Sequence, residues 1–200
     1  LQTPSGGQKW IRDHYAPLRD SENGRVIGRI GAFVDLTAMH QAEAEAQQSQ
    51  EDIRDLHRIA ADPKKHFREK LQILLEKGCQ RYGLEMGILS RVEGERYTVQ
   101  AVAPADKGIA PGAVFDLGGT YCSQTLRSEV PVRFERAGET EWRTHPAYKA
   151  FRLEAYLGTR VMAGKRVYGT LNFSGFRPRP APFTQADLEF LQLLAQWVGG

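Results

Sequence analysis

Histidine and cysteine are the residues of this sequence best suited to act as bases, nucleophiles or metal ligands. The five histidines are far apart, and no carboxylate accompanies them at the spacing of a metal site. The sequence also lacks a Gly-x-Ser-x-Gly elbow, a phosphate-binding loop and a His-Glu-x-x-His motif. We therefore expect no metal site and no catalytic residue, so the chain is predicted to be regulatory and not an enzyme.

The two cysteines, Cys79 and Cys122, are too few for a disulfide scaffold or a structural zinc site. Cys79 falls on the apolar side of a predicted helix. Cys122 lies at the start of a predicted short helix, where the helix dipole lowers a thiol pKa. Two interpretations of Cys122 stay open, a redox-sensing thiolate and a buried, unreactive cysteine. The second is the more common situation for a lone cysteine.

Composition excludes several other classes of protein. The net charge is +3 and the basic residues are scattered, so no stripe suited to nucleic acid is formed. Hydrophobic residues make up 41% of the chain, enough for a folded core. No apolar run approaches the roughly 18 residues of a membrane span, and no signal-peptide pattern is present. We expect a fragment of a longer cytoplasmic protein.

The first 61 residues divide into two zones. In residues 1–37, Asn23-Gly24 lies between two apolar stretches, and residues 26–35 alternate in polarity, which together predict a β-hairpin. Residues 38–61 contain no glycine or proline and follow a heptad pattern, which predicts a helical coiled-coil linker. Its seam positions, where we expect a second copy to pair in a parallel homodimer, include Met39, Ala46, Ile53, Leu56 and Ala60.

Residues 62–200 have the pattern of an α+β domain with one central antiparallel sheet and flanking helices. Asp62-Pro63 predicts the start of a helix that ends at Gly83. Strands are predicted at 85–92, 96–103, 130–134, 155–162 and 166–173, and short helices at 121–127 and 145–151. Thr184 begins the last helix, which carries two apolar stripes. The second stripe predicts a partner besides the sheet.

Residues 62–200 resemble a GAF domain of bacterial sensor proteins, either histidine kinases or GGDEF diguanylate cyclases. The resemblance rests on five matches in the expected order. Residues 10–37 resemble the C-terminal end of a PAS domain. The segments that match GAF domains are Asp116-Leu117-Gly118-Gly119-Thr120-Tyr121-Cys122, His145-Pro146-Ala147-Tyr148, Glu154-Ala155-Tyr156-Leu157-Gly158, Tyr168-Gly169-Thr170-Leu171-Asn172-Phe173 and Pro182-Phe183-Thr184 through Trp197. The segments that match PAS domains are Gly24-Arg25-Val26-Ile27-Gly28 and Asp35-Leu36-Thr37.

The resemblance implies a sensory module that dimerises and passes a signal to an output domain beyond Gly200. It also implies a hollow between the sheet and the short helices, whose candidate lining residues are Tyr121, Cys122, His145, Tyr148 and Tyr156. A small-molecule ligand would occupy this hollow. The alternatives are a structural relay with no ligand and redox sensing through Cys122.

Three ligands or activities of GAF subgroups are not expected. Bilin attachment uses a Cys followed by His near a Tyr-Leu, whereas Tyr156-Leu157 has no such pair before it and Ser123 follows Cys122. The Asn-Lys-x-Phe-Asp-Glu set of cyclic-nucleotide-binding members is absent. Methionine sulfoxide reduction needs several cysteines, and only Cys122 qualifies.

Overall fold

A computed structural model describes residues 9–104 and 108–200. The chain divides into two compact units, Leu1–Glu51 and Asp52–Gly200. The boundary falls inside a long helix, so the last turns of that helix belong to the second unit. The first unit contains a two-stranded antiparallel sheet and the beginning of the helix.

The hairpin of the first unit is formed by β1 (Ile11–Arg19) and β2 (Val26–Asp35). The carboxylate of Asp20 accepts the backbone N–H groups of Glu22 and Asn23, and Gly24 takes the left-handed conformation that closes the turn. Large apolar side chains are exposed along both strands, with Phe33 73% exposed. The predicted hairpin is therefore present.

Helix α1 (Thr37–Ala61) follows the hairpin. Its first turn is joined to the hairpin because Asp35 Oδ1 accepts the N–H of Thr37 and Thr37 Oγ1 accepts the N–H of Trp10. No helix in the described part of the chain is long and apolar enough to cross a membrane.

The second unit is built on a six-stranded antiparallel sheet with the order β5-β4-β3-β8-β7-β6. The alternating segments of the sequence predicted five of these strands. Strand β5 was missed because its three residues stand between two segments rich in glycine and proline, which predict a loop. The strands are β3 (Met86–Glu93), β4 (Arg96–Ala103), β5 (Val114–Asp116), β6 (Val132–Phe134), β7 (Ala155–Ala163) and β8 (Arg166–Gly175).

Four helices accompany this sheet: α2 (Phe67–Tyr82), α3 (Cys122–Arg127), α4 (Pro146–Phe151) and α5 (Gln185–Gly199). The predicted start of α2 at Asp62-Pro63 is wrong by four residues. His66 and Glu69 form the capping box of α2, while Asp62 accepts the N–H of Lys64 in a preceding turn. The predicted end of α2 is confirmed, because Gly83 closes the helix with φ +64°. The predicted start of the last helix is confirmed as well, because Thr184 caps α5.

The two faces of the sheet are covered by different elements. Helices α2, α5 and the last turns of α1 pack on one face against Leu157, Leu171 and Phe173. The short helices α3 and α4 lie over the other face, where Ile88 and Tyr156 point. Because successive residues of a strand point to opposite faces, each strand contributes to both layers.

One expectation about pairing with a second copy needs correction. Leu56, predicted as a seam residue, is buried in the core of its own unit, as is Ile59. Along α5, Phe190, Leu191 and Leu194 are buried within the unit. At the end of the second stripe, Trp197 stacks on Phe67 of α2 with ring centroids 5.2 Å apart, and it keeps partial exposure while Phe67 is 51% exposed. Pairing of this stripe with another copy stays a prediction.

Candidate functional site

The second unit contains a cavity of about 470 Å³ between the sheet and the elements that cover its outer face. Strands β3, β4, β7 and β8 form its floor, while α3, α4 and the segments around Ile109 and Phe115 form its walls. Pockets of roughly 300–1,000 Å³ are typical of small-molecule sites. The described lining residues are Met86, Ile88, Tyr97, Gly108, Ile109, Phe115, Thr120, Tyr121, Cys122, Ala147, Ala150, Phe151, Leu153, Tyr156, Asn172, Ser174 and Phe176.

Of the five residues predicted to line the hollow, the structure brings together Tyr121, Cys122 and Tyr156. His145 and Tyr148 lie nearby without lining it. His145 caps α4, since its Nδ1 accepts the N–H of Ala147 at 3.1 Å, and its ring packs on Tyr121. The hydroxyl of Tyr148 donates to Glu154 Oε1 at 2.7 Å. Both side chains therefore hold the wall of the cavity and do not face a ligand.

Sequence reasoning missed the polar residues of the floor. Along β8, the polar residues Asn172 and Ser174 alternate with the buried apolar residues Leu171 and Phe173. This alternation was the available signal, because polar residues on the second face of a doubly covered strand must contact something polar. Tyr97 was missed as well, and it is completely enclosed on β4 beside Asn172.

A chain of uncharged polar groups joins these floor residues. The Oδ1 atom of Asn172 lies 3.5 Å from both the Tyr97 hydroxyl and the Cys122 sulfur. The Nδ2 atom of Asn172 donates to Ser174 Oγ at 3.3 Å. The Tyr156 hydroxyl lies 3.4 Å from the Cys122 sulfur and 2.7 Å from Thr125 Oγ1. These contacts fix the side chains that a bound molecule would meet.

The cavity carries no formal charge on its described lining. Asp, Glu, Lys, Arg and His are all missing from the residues that the structure places around it. Burial raises the pKa of Tyr97 and Tyr156 well above the usual range, so both phenols are neutral at any physiological pH. In the described residues no group of three His, Cys, Asp or Glu side chains could hold a metal ion. The site is thus built for contact and hydrogen bonding.

The thiol of Cys122 differs from the expectation of a thiolate at a helix N-terminus. Its side chain is buried, and burial raises the pKa of the thiol. The hydrogen bonds from neighbouring hydroxyls act in the opposite direction, but desolvation outweighs them. The dipole of a helix of one and a half turns does not offset this loss of water. Cys122 is a neutral hydrogen-bonding group of the cavity.

Helix α3 is held over the cavity by contacts of the residues that immediately precede it. Asp116 caps the 3₁₀ turn Leu117–Gly119 by accepting the N–H of Gly119, which turns the chain into α3. The Tyr121 hydroxyl donates to the Leu153 carbonyl at 3.1 Å, connecting α3 to the segment before β7. The ring of Tyr121 also packs edge-on against Phe134 and Tyr156. The wall is therefore tied to the sheet and to the segment before β7 on this side.

A six-stranded antiparallel sheet, two long helices on one face and a ligand-sized cavity under short helices on the other define the class to which this protein belongs. It is the class of small sensory α+β domains. The family model described as "GAF domain" matches residues 66–200, and the chain belongs to the GAF family. No curated protein sequence is similar enough to count as a match.

Solved structures agree with this fold. The GAF domain of an Acinetobacter phosphoenolpyruvate-protein phosphotransferase superposes with a TM-score of 0.62 at 18% identity, covering 76% of this chain and 90% of that one. Free methionine-R-sulfoxide reductase from Neisseria meningitidis has a TM-score of 0.60 at 13% identity, with 78% and 88% covered.

A third structure extends over almost the whole chain. The chromophore-binding domain of a Stigmatella aurantiaca bacteriophytochrome superposes with a TM-score of 0.63 at 13% identity, covering 98% of this chain and 70% of that one. At such low identities the likeness concerns the fold alone, and it transfers no ligand to this chain.

Proposed function

We propose that this chain is a sensory module in which a small uncharged molecule bound in the 470 Å³ cavity changes the packing of the helices on the opposite face of the sheet. The observation that carries the proposal is the cavity itself, which opens to solvent on one side and has aromatic walls and an ordered polar floor. GAF domains as a family belong to sensory and signalling proteins, and a cavity of ligand size fits that role.

A physical route leads from the cavity to the helices. Asn172 faces the cavity, and its neighbour Phe173 points to the other side of the sheet. The Phe173 ring packs against Tyr82 of α2 with centroids 4.9 Å apart, and it leaves no room for a Cβ atom at Gly78. A ligand that shifts the β8 backbone at Asn172 also shifts Phe173, and close packing transmits that movement to α2.

The wider assembly is part of the same proposal. We assign the hairpin to the C-terminal end of a PAS domain and α1 to a signalling helix that pairs with a second copy. The exposed seam positions Met39 and Ala46 support this pairing. A diguanylate cyclase or histidine kinase domain after Gly200 would receive the signal in the cytoplasm.

Native mass spectrometry of the protein purified from its own host tests ligand binding directly. We expect an adduct of small-molecule mass that is lost on unfolding. Ala150→Trp provides the decisive variant, because Ala150 lies on the exposed side of α4 and also lines the cavity. The matched control is Lys149→Trp, which adds the same ring one residue away and outside the lining.

The outcomes separate the sensor from the ligand-free relay. Loss of the adduct in Ala150→Trp with retention in Lys149→Trp supports a ligand in this cavity. No adduct in the wild-type protein, together with equal melting temperatures of both variants, contradicts the sensor and leaves the structural relay as the better account.

A further inference from the structure

We propose that the cavity selects an uncharged, flat aromatic molecule that carries a carbonyl oxygen, and that Ser174 and Asn172 recognise this oxygen. The inference rests on the proposed function, since it names the class of ligand for the same cavity. Three features of the lining lead to it: the aromatic rings, the unused donors of the floor and the absence of charged side chains among the described lining residues.

The walls favour a flat ring system. Six of the lining residues are aromatic: Tyr97, Phe115, Tyr121, Phe151, Tyr156 and Phe176. Phe115 and Phe151 meet edge to face at 6.1 Å, and both Phe151 and Phe176 are partly exposed at the opening. Rings arranged in this way offer faces and edges to another ring, and such contacts stabilise a bound ring beyond simple burial.

The floor offers hydrogen-bond donors. The Asn172 amide nitrogen has two hydrogens, of which one goes to Ser174. Ser174 Oγ accepts that bond, so its own hydrogen is left to donate. Asn172 and Ser174 are both at least 97% buried and both line the cavity, so the molecule that fills the cavity, a ligand or water, accepts these hydrogens. The two donor atoms lie 3.3 Å apart, and two neighbouring donors suit a carbonyl oxygen, which has two lone pairs.

The charge of the lining argues against an anion. No described lining residue is cationic, and a carboxylate or phosphate placed here would lose its water without gaining a counter-charge. Carboxylate and phosphate ligands are thus disfavoured relative to a neutral carbonyl. Pure hydrocarbons fit the walls but leave the floor donors unpaired, which also has a cost.

Three probes of nearly equal shape test these arguments: 2-acetylnaphthalene, 2-ethylnaphthalene and 2-naphthoate. Titration calorimetry with the whole chain measures their dissociation constants. We expect the ketone to bind about tenfold more tightly than the ethyl compound, as two modest hydrogen bonds predict, and roughly 100-fold or more tightly than the carboxylate.

Ser174→Ala isolates the floor donor. This variant should bind the ketone about fivefold more weakly and the ethyl compound with unchanged affinity, because one donor is lost and the walls are intact. Ser123→Ala is the matched control: its hydroxyl donates to the Thr120 carbonyl and does not line the cavity. This control should leave the dissociation constants of both probes unchanged.

Several results would overturn the inference. Equal binding of ketone and ethyl compound, preference for the carboxylate, no binding of any probe, or an unchanged ketone affinity in Ser174→Ala would each do so. If Ala150→Trp still abolishes binding of a non-ketone probe, the cavity remains a ligand site, and only the proposed recognition of a carbonyl oxygen is wrong. The adduct measured by native mass spectrometry tests the proposed function separately.

Discussion

The guanidinium of Arg81 lies 3.2 Å from the carboxylate of Asp187, and this ion pair joins the last turn of α2 to the first turn of α5. The side chains are 9% and 8% exposed. Arg81 also pairs with Asp52 on α1, while Asp187 has a second cation, Arg179, at 3.6 Å. One buried arginine thus connects the three helices that cover the face opposite the cavity.

This buried pair should matter far more for stability than an exposed one. Arg81→Met keeps much of the side-chain volume and leaves Asp52 and Asp187 with less compensation, so we expect a loss of about 3–5 kcal/mol in the free energy of unfolding. Arg91→Met is the matched control, because Arg91 pairs with Glu93 at 2.6 Å with more than half of each side chain exposed. It should cost under about 1 kcal/mol. Urea unfolding measures both, and similar losses would contradict the argument.

The burial of Leu56 distinguishes packing within the chain from pairing between chains. Leu56→Ala should lower the unfolding free energy by about 2–5 kcal/mol, and this loss should not depend on protein concentration. Met39→Lys with Ala46→Lys tests the proposed seam where its residues are exposed. We expect that pair to shift the mass in light scattering from dimer to monomer and leave the melting of the second unit unchanged. A dimer mass that persists would remove α1 from the interface.

Sequence patterns predicted the fold of the second unit well because its elements are marked locally. The capping residues Thr184 and Asp187 and the closing Gly83 act within one turn of their helices, so a single sequence reveals them. Partners distant in the sequence are not marked in this way. Leu56 has the same heptad spacing whether it meets a second copy or its own core, and only the tertiary structure decides between them.

The candidate site divides along the same line. Tyr121, Cys122 and Tyr156 were predicted as lining residues from motifs of the family. Asn172 stands inside another such motif and was not recognised, and its position near Tyr97 and Ser174 depends on the pairing of the strands. Ser174 lies opposite both Met86 on β3 and Tyr156 on β7. No spacing in the sequence carries that information, because pairing of strands far apart in the chain sets it.

The two cysteines should be protected from thiol reagents in the folded protein. Burial raises the pKa of Cys79 to about 12 and also raises the pKa of Cys122, so little thiolate exists at pH 8. We expect reaction with Ellman's reagent at least 100-fold slower than for a free thiol, and full reaction of both in urea. In the variant Glu129→Cys, the added cysteine lies at an exposed position and should react at the rate of a free thiol. Fast modification of Cys122 would revive the redox hypothesis.

The N-cap of α4 makes stability depend on pH near neutrality. Burial lowers the pKa of His145, whose ring packs on Tyr121 and whose Nδ1 accepts the N–H of Ala147. The unfolded chain, with an ordinary pKa of about 6.5, therefore binds this proton more tightly than the folded protein does. The contribution of His145 is complete above about pH 6.5 and is lost as the pH falls below it. His145→Asn keeps a capping acceptor and removes the titrating group.

We expect this variant to show a smaller drop in unfolding free energy between pH 7.5 and pH 5.5 than the wild-type protein, even if its stability at pH 7.5 is lower. His57→Asn, at an exposed position of α1, should keep the wild-type drop. Urea unfolding at a series of pH values measures the slopes. The lowered pKa values of Asp55 and Asp62 act below this window, since carboxyl groups with ordinary values near 4 titrate there. A drop of equal size in His145→Asn and the wild-type protein would show that the ring of His145 is protonated equally in both states, and the cap would then carry no pH dependence.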